Sequence, residues 1–563
     1  MTTDPPAAAP APAPAADPAL SDANRKRLFW ACFIALITTA FGFIVRALVI
    51  DEWGDAYGLT GNQKGEIFGA GLWPFAISII LGSLFIDKVG YGTGMAFAFV
   101  CHVLSAVVTI FGPGMMGDAD GAYWALYVGN VIVALGNGAV EAVINPVVAT
   151  LFPREKTKWL NILHAGWPGG LVLGGIIVLG MDGLFGEYGA DGELLVPVNW
   201  QYKVALIFLP TLVYGALMLT CKFPINERVA AGVSYREMLA ELGWGGAFIV
   251  SSMIFLELTR VAGALLDTEI HAAVPWVLAA LIAAGFGAYV RGAFGNPIVV
   301  AILLIMIPLA TTELGTDSWI TSLLEPVMKD VGIRAGWVLV YTSAIMMVLR
   351  FFAGPIVHRI SPLGLLSACS AIAAVGLVLL STADGAAMVL LAATIYGVGK
   401  TFFWPTTLGV TAEQSPRGGA LTLNAVGGTG MLAVGTVGAV FLGYFADTNS
   451  VDELQETAPA VAETVTQPTT WVFGDYQAID PTLVGDLPEA EAATVADAEG
   501  AGKQAALMDV ALFPCLMLVA FLALLFYFKS RGGYAAVELT EGHGGKTDER
   551  DEELAGAVPG PVR

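Results

Sequence analysis

The stretch Leu135–Gly175, LGNGAVEAVINPVVATLFPREKTKWLNILHAGWPGGLVLGG, decides how the whole chain is read. It sets a carboxylate, Glu141, inside an apolar run long enough to cross a bilayer, with Asn137 and Asn145 four residues to either side. Residues at this spacing share one face of an α-helix, so the three polar side chains point the same way. A charge at that depth costs at least ~2.5 kcal/mol on insertion scales. It belongs against a protein-lined cavity, which makes Glu141 the first functional candidate.

The composition of the rest of the chain agrees. Of 563 residues, 56% are hydrophobic and only 13% charged, 67 are glycine, and the mean hydropathy is +0.71. This apolar length exceeds what one soluble core can use and falls into runs of about 20 residues, the length of a membrane-spanning helix. The expected fold class is therefore an all-α polytopic membrane protein, with the lipid bilayer as its surroundings. The net charge of −21 leaves no footprint for nucleic acid, and the acids gather in the loops of one side and in the tails. Cys32, Cys101, Cys221, Cys369 and Cys515 lie in or at the ends of apolar runs without metal or disulfide spacing, and read as small buried hydrophobes. Neither a metal nor a cofactor is expected.

Residues 1–27 begin with an Ala/Pro tract that can neither build a core nor continue a helix, and are expected to form a disordered cytoplasmic tail. Arg25, Lys26 and Arg27 precede a run from Leu28 to Ile50 that is too long for a signal-peptide core, so it is a retained first span. Further spans are expected near 65–86, 92–112, 122–150, 158–180 and 203–223. A polar linker and two extra apolar runs, 244–266 and 272–294, occupy the segment 224–295. Six more spans lie near 296–324, 336–357, 363–381, 386–412, 419–446 and 508–528, for fourteen in total. This divides the chain into a six-helix bundle over 28–223, the linker with two extra helices, a second six-helix bundle over 296–528, and a cytoplasmic tail over 529–563.

Loop charges support that count, because basic residues collect in short cytoplasmic loops. One set of loops holds Lys88, Arg154, Lys156, Lys158, Arg228, Arg236, Arg291, Arg359, Arg417, Lys529 and Arg531. The opposite set holds Asp51, Glu52, Asp55, Asp118, Asp120, Asp182, Glu187, Asp191 and Glu193. To this second set belongs an acidic extracytoplasmic insert, 448–507, with Lys503 as its base and the composition of a solvated loop. Both termini are expected in the cytoplasm, and the membrane is expected to be a bacterial inner membrane.

The two halves repeat one another. Gly138, Glu141, Asn145 and Pro146 recur at the same spacing as Gly397, Lys400, Trp404 and Pro405. Each block is followed by a Leu-Asn pair, Leu160-Asn161 or Leu423-Asn424, and Thr38-Thr39-Ala40-Phe41-Gly42 echoes Thr311-Thr312-Glu313-Leu314-Gly315. Repeated helical halves around a midplane site are the architecture of secondary transporters.

Two repeated six-helix halves resemble the major facilitator superfamily. Asp87-Lys88-Val89-Gly90 is similar to its loop signature, Gly-x-x-x-Asp-Arg/Lys-x-Gly, with Ser83 in the first glycine position. Gly354-Pro355-Ile356-Val357-His358-Arg359 is a degraded copy in the second half. Within the superfamily, Gly138–Pro146 followed by Leu160-Asn161 resembles the fucose-permease-like branch of sugar:proton symporters. The resemblance implies that Glu141 handles a proton beside the sugar, and that His164 and Trp167 fall where the family carries sugar-contacting side chains. Where that branch has a carboxylate late in span one, this chain has Arg46-Ala47.

From the residues alone, Glu141 is either the coupling carboxylate or one member of a buried ion pair with Arg46 or Lys400. Arg46 and Lys400 either neutralise Glu141 or Glu313, or donate to substrate. Substrate contacts are expected from Arg46, Asn137, Asn145, Asn161, His164, Trp167, Glu313, Trp319, Lys400, Trp404 and Asn424, with Thr312–Trp319 as a locally broken, cavity-lining helix. Asp317 reads as a solvated charge near the mouth, Glu257 with Arg260 as a self-neutralising i, i+3 pair, and Asp87, Lys88, Arg350 and Arg359 as the cytoplasmic gate.

Gly399-Lys400-Thr401 is not a phosphate-binding loop, because the required earlier glycine is Thr394 and the segment lies in an apolar helix. With no catalytic constellation, the expected function is not enzymatic. It is secondary transport of a small hydroxyl-rich solute, a hexose or deoxyhexose above all, by a monomer coupled to a proton or to sodium. The alternatives are an exporter of amphipathic compounds, an importer of a nucleoside or organic acid, and a non-transporting membrane sensor.

Overall fold

The apolar runs are helical in the computed structural model, which describes residues 20–188, 194–266, 268–317, 336–471, 474–485 and 487–539. The first half comprises α1 (Asp22–Tyr57), α2 (Gln63–Val89), α3 (Tyr91–Met116), α4 (Ala119–Leu151), α5 (Lys156–Phe185) and α6 (Trp200–Met218). Then come α7 (Tyr235–Leu266) and α8 (Val274–Tyr289). The second half comprises α9 (Pro297–Gly315), α10 (Gly336–Arg350), α11 (Ala353–Ile360), α12 (Pro362–Ser381), α13 (Gly385–Gln414), α14 (Pro416–Thr457) and α15 (Glu489–Ser530).

Twelve of these helices are long and apolar enough to span a membrane, or thirteen if α10 and α11, bent by 63°, form one broken span. The expected fourteen is not reached among the described residues. The shortfall is α8, whose 16 residues reach about 24 Å at ~1.5 Å per residue, against a hydrocarbon core of about 30 Å. The pair α7–α8 nevertheless returns to the face it leaves. Backbone bonds from Trp244 N to Ala293 O (2.9 Å), Gly245 N to Phe294 O (3.0 Å) and Asn296 N to Glu241 O (2.8 Å) close its two ends. The chains cross there at Gly243 (φ +62) and Gly295 (φ +115), where any side chain would strike the other backbone. The hairpin so formed packs through α7 against α9 and α14.

The halves meet in symmetric pairs. α2 packs on α14 as α5 packs on α10, and α4 on α14 as α5 on α13. Exchanging the halves maps each pair onto the other. The α2–α14 crossing needs Gly428, since a Cβ there would lie 2.4 Å from Ile80 Cγ1.

Three expectations besides the span count are corrected. The helix α1 begins at Asp22, with Ser21 capping the amide of Asn24 at 3.2 Å, so residues 22–27 are helical; residues 1–19 of the expected tail lie outside the described residues. The insert 448–507 is not a mere solvated loop. α14 continues to Thr457, α15 starts at Glu489, and between them runs a hairpin of Thr466–Trp471 with Gly474–Ile479 over a small core of Leu454, Ala462, Val465, Val495 and Ala498. Its Ala and Glu content, which suggested a solvated loop, also favours helix. A shorter ribbon pairs Glu187–Tyr188 with Leu194–Val196, so the chain is helical apart from two small hairpins among the described residues. Cys515 is exposed on α15 rather than buried.

Candidate functional site

Prolines locate the site before any polar side chain does. Pro168 and Pro405 have no N–H to give the carbonyls four residues earlier, those of His164 and Thr401, and Pro146 likewise frees the carbonyl of Ala142. α5 breaks at Ala165 and α13 at Thr401–Phe402. In the low-dielectric interior such carbonyls need other donors. Arg350 supplies two of them, Nη1 to His164 O at 2.6 Å and Nε to Thr401 O at 2.7 Å. Asn424 Nδ2 supplies the third, to Ala142 O at 3.0 Å. The bonds to His164 and Ala142 join one half of the molecule to the other.

Around these breaks lies a cavity between the halves. Its polar wall is Glu141 and Asn145 from α4, His164 and Trp167 from α5, Glu313 from α9, Arg350 from α10, Trp404 from α13 and Asn424 from α14. Phe75, Ile79, Leu314 and Met431 form its apolar wall.

Glu141 is buried, and its Oε2 accepts from Asn145 Nδ2 at 2.6 Å. Asn145 Oδ1 lies 2.9 Å from His164 Nε2, so the amide that donates to Glu141 accepts from the imidazole. No cation pairs with Glu141 among the described residues. Arg46 bonds Ser105 Oγ at 2.6 Å, and Lys400 pairs with Asp317. The reading of Glu141 as one member of an ion pair with either base is thereby corrected.

Glu313 is the paired carboxylate. Its Oε1 lies 2.8 Å from Arg350 Nη2, and its Oε2 accepts from Trp404 N at 3.0 Å, at the start of the second helical segment of α13. An anion at a helix N-terminus satisfies free N–H groups and the local dipole. The segment Thr311–Gly315 that carries Glu313 is a single π-helical turn, a local break of the expected kind, and it turns both Glu313 and Leu314 to the cavity.

Of the expected contacts, Asn145, His164, Trp167, Glu313, Trp404 and Asn424 come together with Glu141 at this cavity. Trp319 lies outside the described residues. Asn161 sits below the cavity, its Nδ2 donating to Thr157 O (2.8 Å) and Thr406 Oγ1 (3.1 Å). Lys400 is turned away, bonded to Asp317 and 5.2 Å from the Tyr396 ring centroid, so Asp317 is a half-buried ion-pair partner and not a solvated charge. Arg46 and Asn137 line an adjoining pocket.

The gate expectations divide. Arg350 lines the cavity and joins the halves through His164 O, while Arg359 is exposed. Asp87 pairs with Arg228 of the linker at 2.7 Å, and Lys88 lies 4.7 Å from the Tyr235 ring. The halves are closed on the face that carries both described ends of the chain. There Glu413 Oε1 accepts from Thr157 N (3.0 Å) and Oγ1 (2.6 Å), and Lys156 Nζ lies 2.6 Å from Glu227 and 3.3 Å from Ala412 O. Glu413 Oε2 accepts from Tyr534 at 2.7 Å, and the segment carrying it continues to Leu539, which packs on Ala231 and Val233.

Sequence reasoning missed two residues. Glu413 ends an apolar run and read as ordinary. His102, whose ring nitrogens lie 2.9 Å from Asn137 Oδ1 and 2.9 Å from Tyr214 Oη, sits within a span and could have been singled out by the rule that picked Glu141.

A bundle of apolar helices with symmetric halves, broken helices and buried ionisable groups around a central cavity is the architecture of secondary transporters. The sequence matches the model of the Major Facilitator Superfamily over residues 28–440, and the chain belongs to that family. No curated protein matches it by sequence. Among solved structures it is similar to the E. coli fucose:proton symporter FucP, at 15% identity and TM-score 0.51 over 87% of this chain and 98% of that one. It is also similar to the E. coli proton:xylose symporter XylE, at 14% identity and TM-score 0.56 over 90% and 96%. A bacterial homolog of the human lysosomal transporter Spinster gives 16% and 0.55 over 92% and 100%. At these identities the likeness is one of fold.

Proposed function

We propose that the protein carries a small hydroxyl-rich solute of sugar size across a bacterial inner membrane by alternating access, in symport with a proton held by Glu141. The observation that carries this reading is the state of Glu141: a buried carboxylate on the cavity wall, held by the neutral chain Asn145–His164 and paired with no cation among the described residues. Such a group can take up and release a proton without breaking an ion pair, as a coupling site must. Asn424 adds a reason for hydroxyls, since its Oδ1 lies buried without a partner on a side chain that lines the cavity. An unmet acceptor there is satisfied by a solute O–H donor. The fold likeness to fucose:proton and xylose:proton symporters supports the same class. The closed face that bears Arg25 and Lys529 is taken as cytoplasmic. The apolar wall of Phe75, Ile79, Leu314 and Met431 favours a second reading, export of amphipathic compounds.

The test is Glu141→Gln in proteoliposomes, with proton-driven uptake and counterflow measured on the same preparation. The variant is expected to lose accumulation under an imposed proton gradient while still exchanging solute without one. Accumulation equal to wild type would remove Glu141 from coupling.

A further inference from the structure

A second pocket adjoins the central cavity and shares Phe75 and Trp167 with it. Arg46 forms its charged wall, with Asn130 and Asn137 beside it. The guanidinium is buried, at 5% exposure, and is met only in part: Nη1 donates to Gly42 O at 3.3 Å, Nη2 to Ser105 Oγ at 2.6 Å, and Nε has no partner.

No carboxylate pairs with it among the described residues. The other deeply buried cations are each neutralised: Arg350 by Glu313, Lys400 by Asp317, Lys203 by Glu52 and Asp182, Lys156 by Glu227, and Arg228 by Asp87. Buried charges persist in a membrane interior when paired or when facing a cavity that supplies a partner. Asn137 points to the same sign of partner. Its Oδ1 is taken by His102, which leaves the Nδ2 donor of a side chain that lines the pocket.

We propose that this pocket seats an anionic group of the transported solute. The solute is then a hydroxylated carboxylate, a sugar acid, and not a neutral sugar. Its carboxylate lies on the Arg46 guanidinium and the Asn137 amide, while its hydroxyls reach past Phe75 and Trp167 to Asn424 and Glu141. A planar carboxylate on a guanidinium makes two parallel charge-assisted bonds, which a lysine cannot reproduce. The inference rests on the reading of the central cavity as a solute site and narrows it.

The test uses the purified full-length protein in proteoliposomes and a pair of labelled probes that differ at one carbon, galacturonate and galactose. In wild type, counterflow of galacturonate is expected to exceed that of galactose by about 10-fold or more. Arg46→Gln is expected to lower acid exchange by about 100-fold, the scale of removing one buried, hydrogen-bonded charge partner. Arg46→Lys is expected to fall between, with folding of both variants checked by size exclusion. Galactose exchange with galacturonate silent would overturn the anionic seat and leave the transport reading standing. Galactose exchange that needs chloride and is lost in Arg46→Gln would place an inorganic ion there and overturn it as well. Silence of folded wild type toward both probes and a wider panel of neutral and acid sugars would overturn the solute reading and the seat with it.

Discussion

Three acids near the cavity live in different company, and that company sets their roles. Glu141 has neutral neighbours, Glu313 has Arg350, and Asp317 has Lys400. Replacing Asn145 by Leu removes the donor that holds charged Glu141 and leaves His164 Nε2 unmet. A charge-assisted bond contributes about 1.5–3 kcal/mol, so counterflow is expected to fall by about 10-fold or more; wild-type exchange would contradict the relay. Arg350→Met strands a buried carboxylate and two carbonyls, and is expected to destabilise the protein by about 3–5 kcal/mol. The double variant Arg350→Met/Glu313→Gln is expected to recover part of that loss in thermal melts of detergent-solubilised protein. Glu141 was legible in the sequence because depth in a span can be counted along the chain. The partner of Lys400 was not, since Asp317 lies 83 residues away on another helix and nothing local encodes their meeting.

At the scale of elements, the prolines of α4, α5 and α13 act in concert. Each orphans one carbonyl, and the donors that answer are carried on α10 and α14. The breaks could be read from Pro146, Pro168 and Pro405; which side chains cap them is a property of the packing. The spans themselves were legible from apolar length, whereas the reach of α8 and the folded insert were not. A largely apolar run of 23 residues at 272–294 does not announce that only 16 of them are helical. The segment Tyr534–Leu539 behaves as a strap, closing on Glu413 through Tyr534 Oη and through Val537 N to Glu413 O at 2.8 Å. Truncation after Gly533 is expected to speed maleimide labelling of Ala149→Cys, placed behind the closed face in a cysteine-free background. Unchanged labelling would show that the strap does not hold this face shut.

At the scale of the molecule, the hydrogen bonds that join the two halves among the described residues run from the cavity to the face bearing the chain ends: Asn424–Ala142, Arg350–His164, Asn161–Thr406, Thr157–Glu413 and Lys156–Ala412. Alternating access has to break this ladder, and the carbonyls of Ala142 and His164 must then find water or solute. The internal repeat in the sequence foretold paired halves, and the symmetric contacts of α2 with α14 and α5 with α10 display them. The repeat could not foretell which face is closed, because both faces are built from the same motif. The most direct measurement of the central claim is counterflow in proteoliposomes of wild-type protein, with a labelled panel of fucose, galactose, glucose, mannose and their acid forms. Counterflow needs no ion gradient, so it reads solute recognition apart from coupling. Exchange of at least one member of the panel, competed by the unlabelled compound, is the result expected of a transporter of hydroxyl-rich solutes. No exchange of any member by protein shown to be folded would contradict that claim and leave only the fold.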